Sequence, residues 1–174
     1  MTAAKIIAQA AFLQGYQGVT ATPSFGAERR GAPVSASVRI SAKPIMVVSG
    51  VEEPDVVIVL DHSLLKYQEV ISGLSRGGWL VVNSWHNPDE LGISGGFNIA
   101  TADATSICQE LGLEVAGLTV VNTAILGAFT RATELVDRAN IEIVMRGIFS
   151  DKGIDINLAA FTKAYQITRL SGRS

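Results

Sequence analysis

The chain has 174 residues, enough for one domain with a full core, and its hydrophobic content of 48% with only 17% charged residues gives a mean hydropathy of +0.32. No apolar run approaches the roughly 18 residues that span a bilayer, so a membrane protein is not expected. A net charge of −2, a pI near 5.7 and no Lys/Arg cluster beyond Arg29-Arg30 argue against a nucleic-acid surface. The composition fits a compact α/β domain whose surface is largely covered by other subunits, or an ordinary Ala- and Gly-rich domain.

In chain order, residues 3–13 predict a helix, since Ile6, Ala10 and Leu13 recur at spacings of four and three. Residues 22–34 are interrupted by Pro23, Gly26, Gly31 and Pro33, which predicts a shaped loop rather than a helix or central strand. Residues 34–40 alternate Val34, Ala36, Val38 and Ile40 with Ser35, Ser37 and Arg39, as a half-buried strand should. Residues 56–60, Val-Val-Ile-Val-Leu, have no alternation and predict a strand buried on both faces of a parallel sheet. Leu64, Tyr67 and Ile71 then define a helical face, and Gly77-Gly78 turns the chain into a strand over residues 79–83. Together these form a βαβ unit.

A loop is expected over residues 87–98, holding Gly95-Gly96, which is too short for a phosphate-binding turn. Thr101 reads as an N-cap ahead of Asp103, whose charge favours a helix N-terminus. A helix from about Asn122 presents Ile125, Ala128, Phe129, Ala132, Leu135 and Val136 on one face, and further helices are expected over residues 141–149 and 155–169. The order predicts a single three-layer, Rossmann-like α/β domain over residues 1–174 with a largely parallel sheet. Ligands on such sheets meet the C-terminal ends of the strands.

That rule singles out Asp61-His62, directly after the strand over residues 56–60. They form either a general acid/base pair or a helix cap with an exposed imidazole beside it. His86 follows Asn83-Ser84-Trp85 in a similar place, but no third ligand has a spacing that supports a metal. Cys108, the one cysteine, lies in a helical pattern and reads as a buried structural thiol. Alone it forms no internal disulfide and holds neither zinc nor an iron–sulfur cluster. No signal peptide is visible, so a reducing cytoplasm is the expected location.

The loop Ser24-Phe25-Gly26-Ala27-Glu28-Arg29-Arg30-Gly31-Ala32-Pro33-Val34 gathers two guanidinium groups, suited to two-pronged recognition of carboxylate or phosphate, and one aromatic ring. It resembles the signature of the gamma subunit of pyruvate and related 2-oxoacid:ferredoxin (flavodoxin) oxidoreductases. Other stretches resemble the family in order: residues 2–12, Thr101-Ala102-Asp103-Ala104-Thr105 with Glu110-Leu111-Gly112, residues 122–129 from Asn122-Thr123, and Asn157-Leu158-Ala159-Ala160-Phe161. The family's chains open with a strand and a Gly-x-Gly-Gly-Gln-Gly turn ahead of the first helix. The sequence given starts at that helix, so both are expected to be absent from it, through a late start assignment, a shortened piece or a natural shortening.

The resemblance implies a role in coenzyme A-dependent oxidative decarboxylation of a 2-oxoacid to acyl-CoA and CO2, with electrons passed to ferredoxin. It implies alpha-, beta- and delta-type partner subunits that hold thiamine diphosphate, Mg2+ and [4Fe-4S] clusters, with no cofactor bound by this chain alone. The Glu-Arg-Arg-Gly-Ala-Pro form resembles pyruvate-type enzymes. It makes Ser24, Phe25, Glu28, Arg29, Arg30 and Gly31 candidates for a substrate, cofactor or subunit contact, with Asp61, His62 and Asn122 as weaker candidates. A non-catalytic scaffold subunit is one alternative. A stand-alone Rossmann-like nucleotide-binding module is another, although no Gly-x-Gly-x-x-Gly follows a strand in this chain.

Overall fold

The computed structural model of the chain describes residues 2–24, 34–46, 50–115, 118–149 and 151–171. Its elements are, in order, α1 (Thr2–Leu13), β1 (Gly18–Ser24), β2 (Ser35–Ser41), β3 (Val56–Val59), β4 (Trp79–Asn83) and β5 (Asn98–Ala102). There follow α2 (Ala104–Glu110), β6 (Glu114–Val115), β7 (Leu118–Thr119), α3 (Ala124–Thr133), α4 (Arg138–Ile148), α5 (Asp151–Ile167) and β8 (Arg169–Leu170). Contacts gather these elements into two compact units, Met1–Val51 with Val136–Ile148, and Glu52–Leu135 with Phe149–Ser174.

In the first unit α1 packs on α4 and on both strands of an antiparallel pair, β1 and β2, in which Gly18 faces Ser41 and Ser24 faces Ser35. Ile6, Ile7, Ala10 and Ala11 of α1 are buried, as are Ile141, Val144 and Met145 of α4. The Gln14 side-chain oxygen accepts a hydrogen bond from the Asp137 N–H at 2.7 Å, linking the end of α1 to the start of α4. Residues 22–24, expected in a loop, complete β1 instead, with Pro23 opposite Ala36. Each strand of a two-stranded ladder has an open edge, where a residue without an N–H is tolerated.

The second unit is built on a sheet of order β3-β4-β5-β8, parallel except for β8. β4, rather than β3, is the strand covered on both faces: Leu80, Val81, Val82 and Asn83 are all buried, whereas only Val59 of β3 is. The reason is position, since β3 is the edge strand. Alternation divides the core. Val81, Ala100 and Ala102 pack with Ile107 and Cys108 of α2, Ala124, Ile125 and Ala128 of α3, and Ala160 and Ala164 of α5. Leu80, Val82 and Ile99 face the other way, toward Leu64, Leu65, Val70 and Ile71. Fully burying one such Val, Leu or Ile contributes about 1.5–3 kcal/mol.

Leu64, Leu65 and Val70 belong to two short 3-10 turns, His62–Lys66 and Gln68–Val70, and Ile71 caps the second, where the sequence predicts an α-helical face. Tyr67 divides them by adopting an extended backbone, φ −97° and ψ 113°. β5 falls where the sequence predicts a loop ending at Asn98 and a cap at Thr101. Its Asn-Ile-Ala-Thr-Ala composition carries little strand propensity, and pairing along β4 overrides it. The cap of α2 is Asp103, whose carboxylate accepts from the Ser106 N–H at 2.9 Å. α3 stops at Glu134, the one non-glycine residue described with positive φ (51°), so Leu135 and Val136 lie beyond it.

α3 and α5 make close contact, and the reason is Gly127. A methyl group there would overlap the Phe161 carbonyl oxygen and approach the Tyr165 nitrogen to 2.6 Å. Ahead of it the buried Thr123 hydroxyl donates to Asn157 Oδ1 at 2.6 Å, and the Asn157 amide donates to the Gly153 carbonyl at 2.8 Å. Gly127→Ala is therefore expected to cost about 1–3 kcal/mol, the backbone overlap outweighing the roughly 1 kcal/mol gained in helix propensity. A fall in the melting temperature checks it; an unchanged or higher value refutes the close approach.

Candidate functional site

The C-terminal ends of β3 and β4 are tied to the start of α2 by Asn83, the last residue of β4 and 5% exposed. Its amide nitrogen donates to the Leu60 carbonyl and to Thr105 Oγ1, both at 2.8 Å, and its oxygen accepts from the Thr105 N–H at 3.2 Å. One side chain thus joins the residue after β3, the end of β4 and the first turn of α2. A buried amide spends its polar groups on such bonds because leaving them unmade is costly.

Beyond this anchor three rings meet. His62, at the start of the first 3-10 turn, lies edge-on to Trp85 with centroids 4.5 Å apart and an interplanar angle of 82°. Trp85 and His86 lie 4.9 Å apart, and His62 and His86 6.0 Å. Trp85 is 57% exposed. The Arg169 guanidinium of β8 donates to the Trp85 carbonyl at 2.8 Å, and Glu90 lies 3.8 Å from His86 Nδ1. Glu90 also closes a capping box with Asn87, whose hydrogen bonds hold its carboxyl below the usual range. The result is an exposed aromatic surface bearing two imidazoles and one guanidinium.

The Asp61 carboxylate is engaged by Ser63. It accepts from the Ser63 N–H at 2.9 Å and caps the turn, and that bond, followed by one from the Ser63 hydroxyl, lowers its pKa. The capping alternative raised by the sequence therefore describes Asp61, while His62 is half-buried against Trp85 rather than simply exposed. Among the described residues no group of three His, Cys, Asp or Glu gathers to hold a metal. Asn122 is half-buried just ahead of α3, on a different element from the rings. Ser24 ends β1 in the first unit, and Phe25, Glu28, Arg29, Arg30 and Gly31 lie outside the described residues. Trp85, Arg169 and Asn83 were not singled out from sequence. A polar residue ending an apolar strand was the available signal for Asn83; for Arg169, brought in by a two-residue strand, there was none.

Cys108 is fully buried in α2, its thiol donating to the Val120 carbonyl at 3.4 Å, and burial pushes it up to about 11. A thiol held protonated in this way is a poor nucleophile and metal ligand.

The description of one family, pyruvate ferredoxin/flavodoxin oxidoreductase, matches residues 1–167. The chain belongs to that family. It is 43% identical over 173 residues to the pyruvate/ketoisovalerate oxidoreductases common subunit gamma of Pyrococcus furiosus, covering 98% of this chain and 91% of that one. It is 40% identical over 169 residues to pyruvate synthase subunit PorC of Methanosarcina barkeri, covering 97% and 90%. Its fold resembles the crystal structure of pyruvate oxidoreductase subunit PORC from Thermotoga maritima, with a TM-score of 0.81 and 33% identity over 98% of this chain and 90% of the other. Within the family it is a gamma-type subunit. The stretches carrying the sequence resemblance in the second half map onto the α3–α5 contact, since Thr123 and Gly127 meet Asn157 and Phe161 there.

Two outcomes test this geometry. Asn83→Leu should lose at least about 1–3 kcal/mol, because the Leu60 carbonyl and Thr105 N–H lose their partner; chemical denaturation reads it, and an unchanged midpoint would refute the anchor. For Cys108, the unfolded thiol ionises near its ordinary value while the folded one stays neutral to about 11. Its contribution to stability is therefore complete below the ordinary thiol range and is lost as pH rises toward 11. Iodoacetamide at pH 8 should label the denatured chain and leave the native one unmodified, and rapid native labelling would contradict the burial.

Proposed function

We propose that the chain works as the gamma-type subunit of a pyruvate (or related 2-oxoacid):ferredoxin oxidoreductase, joining alpha-, beta- and delta-type subunits in the cytoplasm. The assembly oxidatively decarboxylates the 2-oxoacid to acyl-CoA and CO2 and passes two electrons to ferredoxin. The observation carrying this reading is the likeness to gamma and PorC chains over nearly the whole length. An iron–sulfur cluster needs several thiolates, and the chain has one cysteine, buried and protonated. The described residues therefore do not fit a cluster, and electron transfer belongs to the partners.

In this proposal residues 1–174 act as one gamma-type domain, and Ser24, Phe25, Glu28, Arg29, Arg30 and Gly31 contribute a contact to a partner or to the acyl/coenzyme A channel. Arg29 and Arg30 pair with a partner carboxylate or an anionic group of the substrate, and Glu28 offsets one of them.

The test is purification of the tagged chain from its native host under strict anoxia, with viologen reduction assayed against several 2-oxoacids and coenzyme A. Recovery of thiamine- and cluster-binding subunits with 2-oxoacid-dependent reduction is expected. A partner-free chain without activity would refute the reading. In the recovered complex, Arg29→Ala with Arg30→Ala should lower turnover tenfold or more; full turnover with assembly intact would favour a scaffold role.

A further inference from the structure

The exposed side of α1 carries Lys5, Gln9, Phe12 and Leu13, spaced four, three and one residues apart and so aligned along a single stripe. The other faces of the helix are used by the first unit's own core. Phe12 is 67% exposed and Leu13 52%. They line an open groove of about 410 Å³ with Ala8, Gln9, Val19 and Val144, all within that unit. The two large apolar side chains at its rim lie next to each other and face solvent.

Charge identifies the occupant. The chain's net charge of −2 conceals a strong division between its units. The first holds seven Lys/Arg against three Asp/Glu, net +4, and the second seven against thirteen, net −6. Lys5 extends the stripe beyond the apolar residues and has no acidic partner among the described residues. Apolar contact area with a charged rim is the usual anatomy of a protein interface, and the sign of the rim selects the partner. A second copy is a poor occupant. Two-fold pairing through this groove would bring two +4 units together. Docking of the groove onto another copy's acidic unit would be head-to-tail, which leaves open chains unless the rotation closes a ring.

We propose that the α1 groove docks another subunit of the same oxidoreductase, through an apolar segment of that subunit flanked by Asp and Glu. This rests on the gamma-subunit reading above. Phe12 enters the partner's apolar segment, and Lys5, on a unit of net positive charge, faces its carboxylates.

The experiment compares tagged wild type, Phe12→Lys and Phe12→Glu purified from the native host, with subunits identified by mass spectrometry. Because position 12 is exposed, both variants should keep the wild-type circular dichroism and melting temperature as isolated chains. Phe12→Glu should reduce recovery of partner subunits at least tenfold, and Phe12→Lys by clearly less, since it keeps the favourable sign. Raising salt from low to high ionic strength should narrow the difference between the two. Wild-type recovery by both variants overturns the docking site, and equal loss in both overturns the acidic character of the partner. An isolated wild-type dimer that Phe12→Glu dissolves reassigns the groove to a second copy. If wild type recovers no oxidoreductase subunit, the functional reading fails together with the proposal; if only the variants behave as wild type, the proposal fails alone.

Discussion

The closeness of α3 to α5 is the constraint on which the larger unit rests. Gly127 lets the backbone of one helix reach the Phe161 carbonyl of the other, and Thr123 and Asn157 fix their relative rotation with a buried hydrogen bond. α3 then meets the sheet in a core rich in alanines: Ala100 and Ala102 on β5 and Ala124 and Ala128 on α3, with Ala160 and Ala164 of α5 in the same cluster. Small side chains leave little free volume and little adjustable surface, so the layer is closely spaced and intolerant of added atoms. The high Ala and Gly content that could describe any plain domain has a specific use here.

The opposite face of the sheet is built differently. Leu80, Val82 and Ile99 meet large side chains from two 3-10 turns and the segments around them, a cover that is thinner in regular structure and richer in bulk. His62 and Trp85 emerge at the end of that face, where β3 and β4 finish, and Asn83 keeps those strand ends in register with α2. An amide suits this place. It supplies donor and acceptor together, whereas a carboxylate would set an acceptor against the Leu60 carbonyl and an apolar side chain would leave both partners unsatisfied.

The charged residues have a comparable division of labour. Asp61, Asp103 and Glu90 each accept backbone N–H groups at the start of a helical turn, so three of the acidic residues at the strand ends hold local structure. Sequence alone places an acid and an imidazole side by side at positions 61 and 62, which invites an acid/base reading. The structure turns Asp61 back toward Ser63 and sets His62 against Trp85, because the first N–H groups of the turn lack partners within it and a carboxylate at the cap position supplies one.

By itself the sequence determined what depends on local pattern and on residue chemistry. It showed α1 and β2 from periodicity, β4 from the glycine turn ahead of it, the fate of Cys108 from its helical setting, and the family from stretches spread along the chain. Tertiary structure alone decided which strand is central, because burial on both faces is a property of neighbours, and β3 and β4 read equally apolar until the sheet order sets one at the edge. It likewise made a strand of the Asn-Ile-Ala-Thr-Ala segment, whose propensity is low, by pairing it along β4. It brought Arg169 to Trp85 across 84 residues, and Asn157 to Thr123 across 34. No periodicity spans such separations, since those contacts exist only once distant elements have packed.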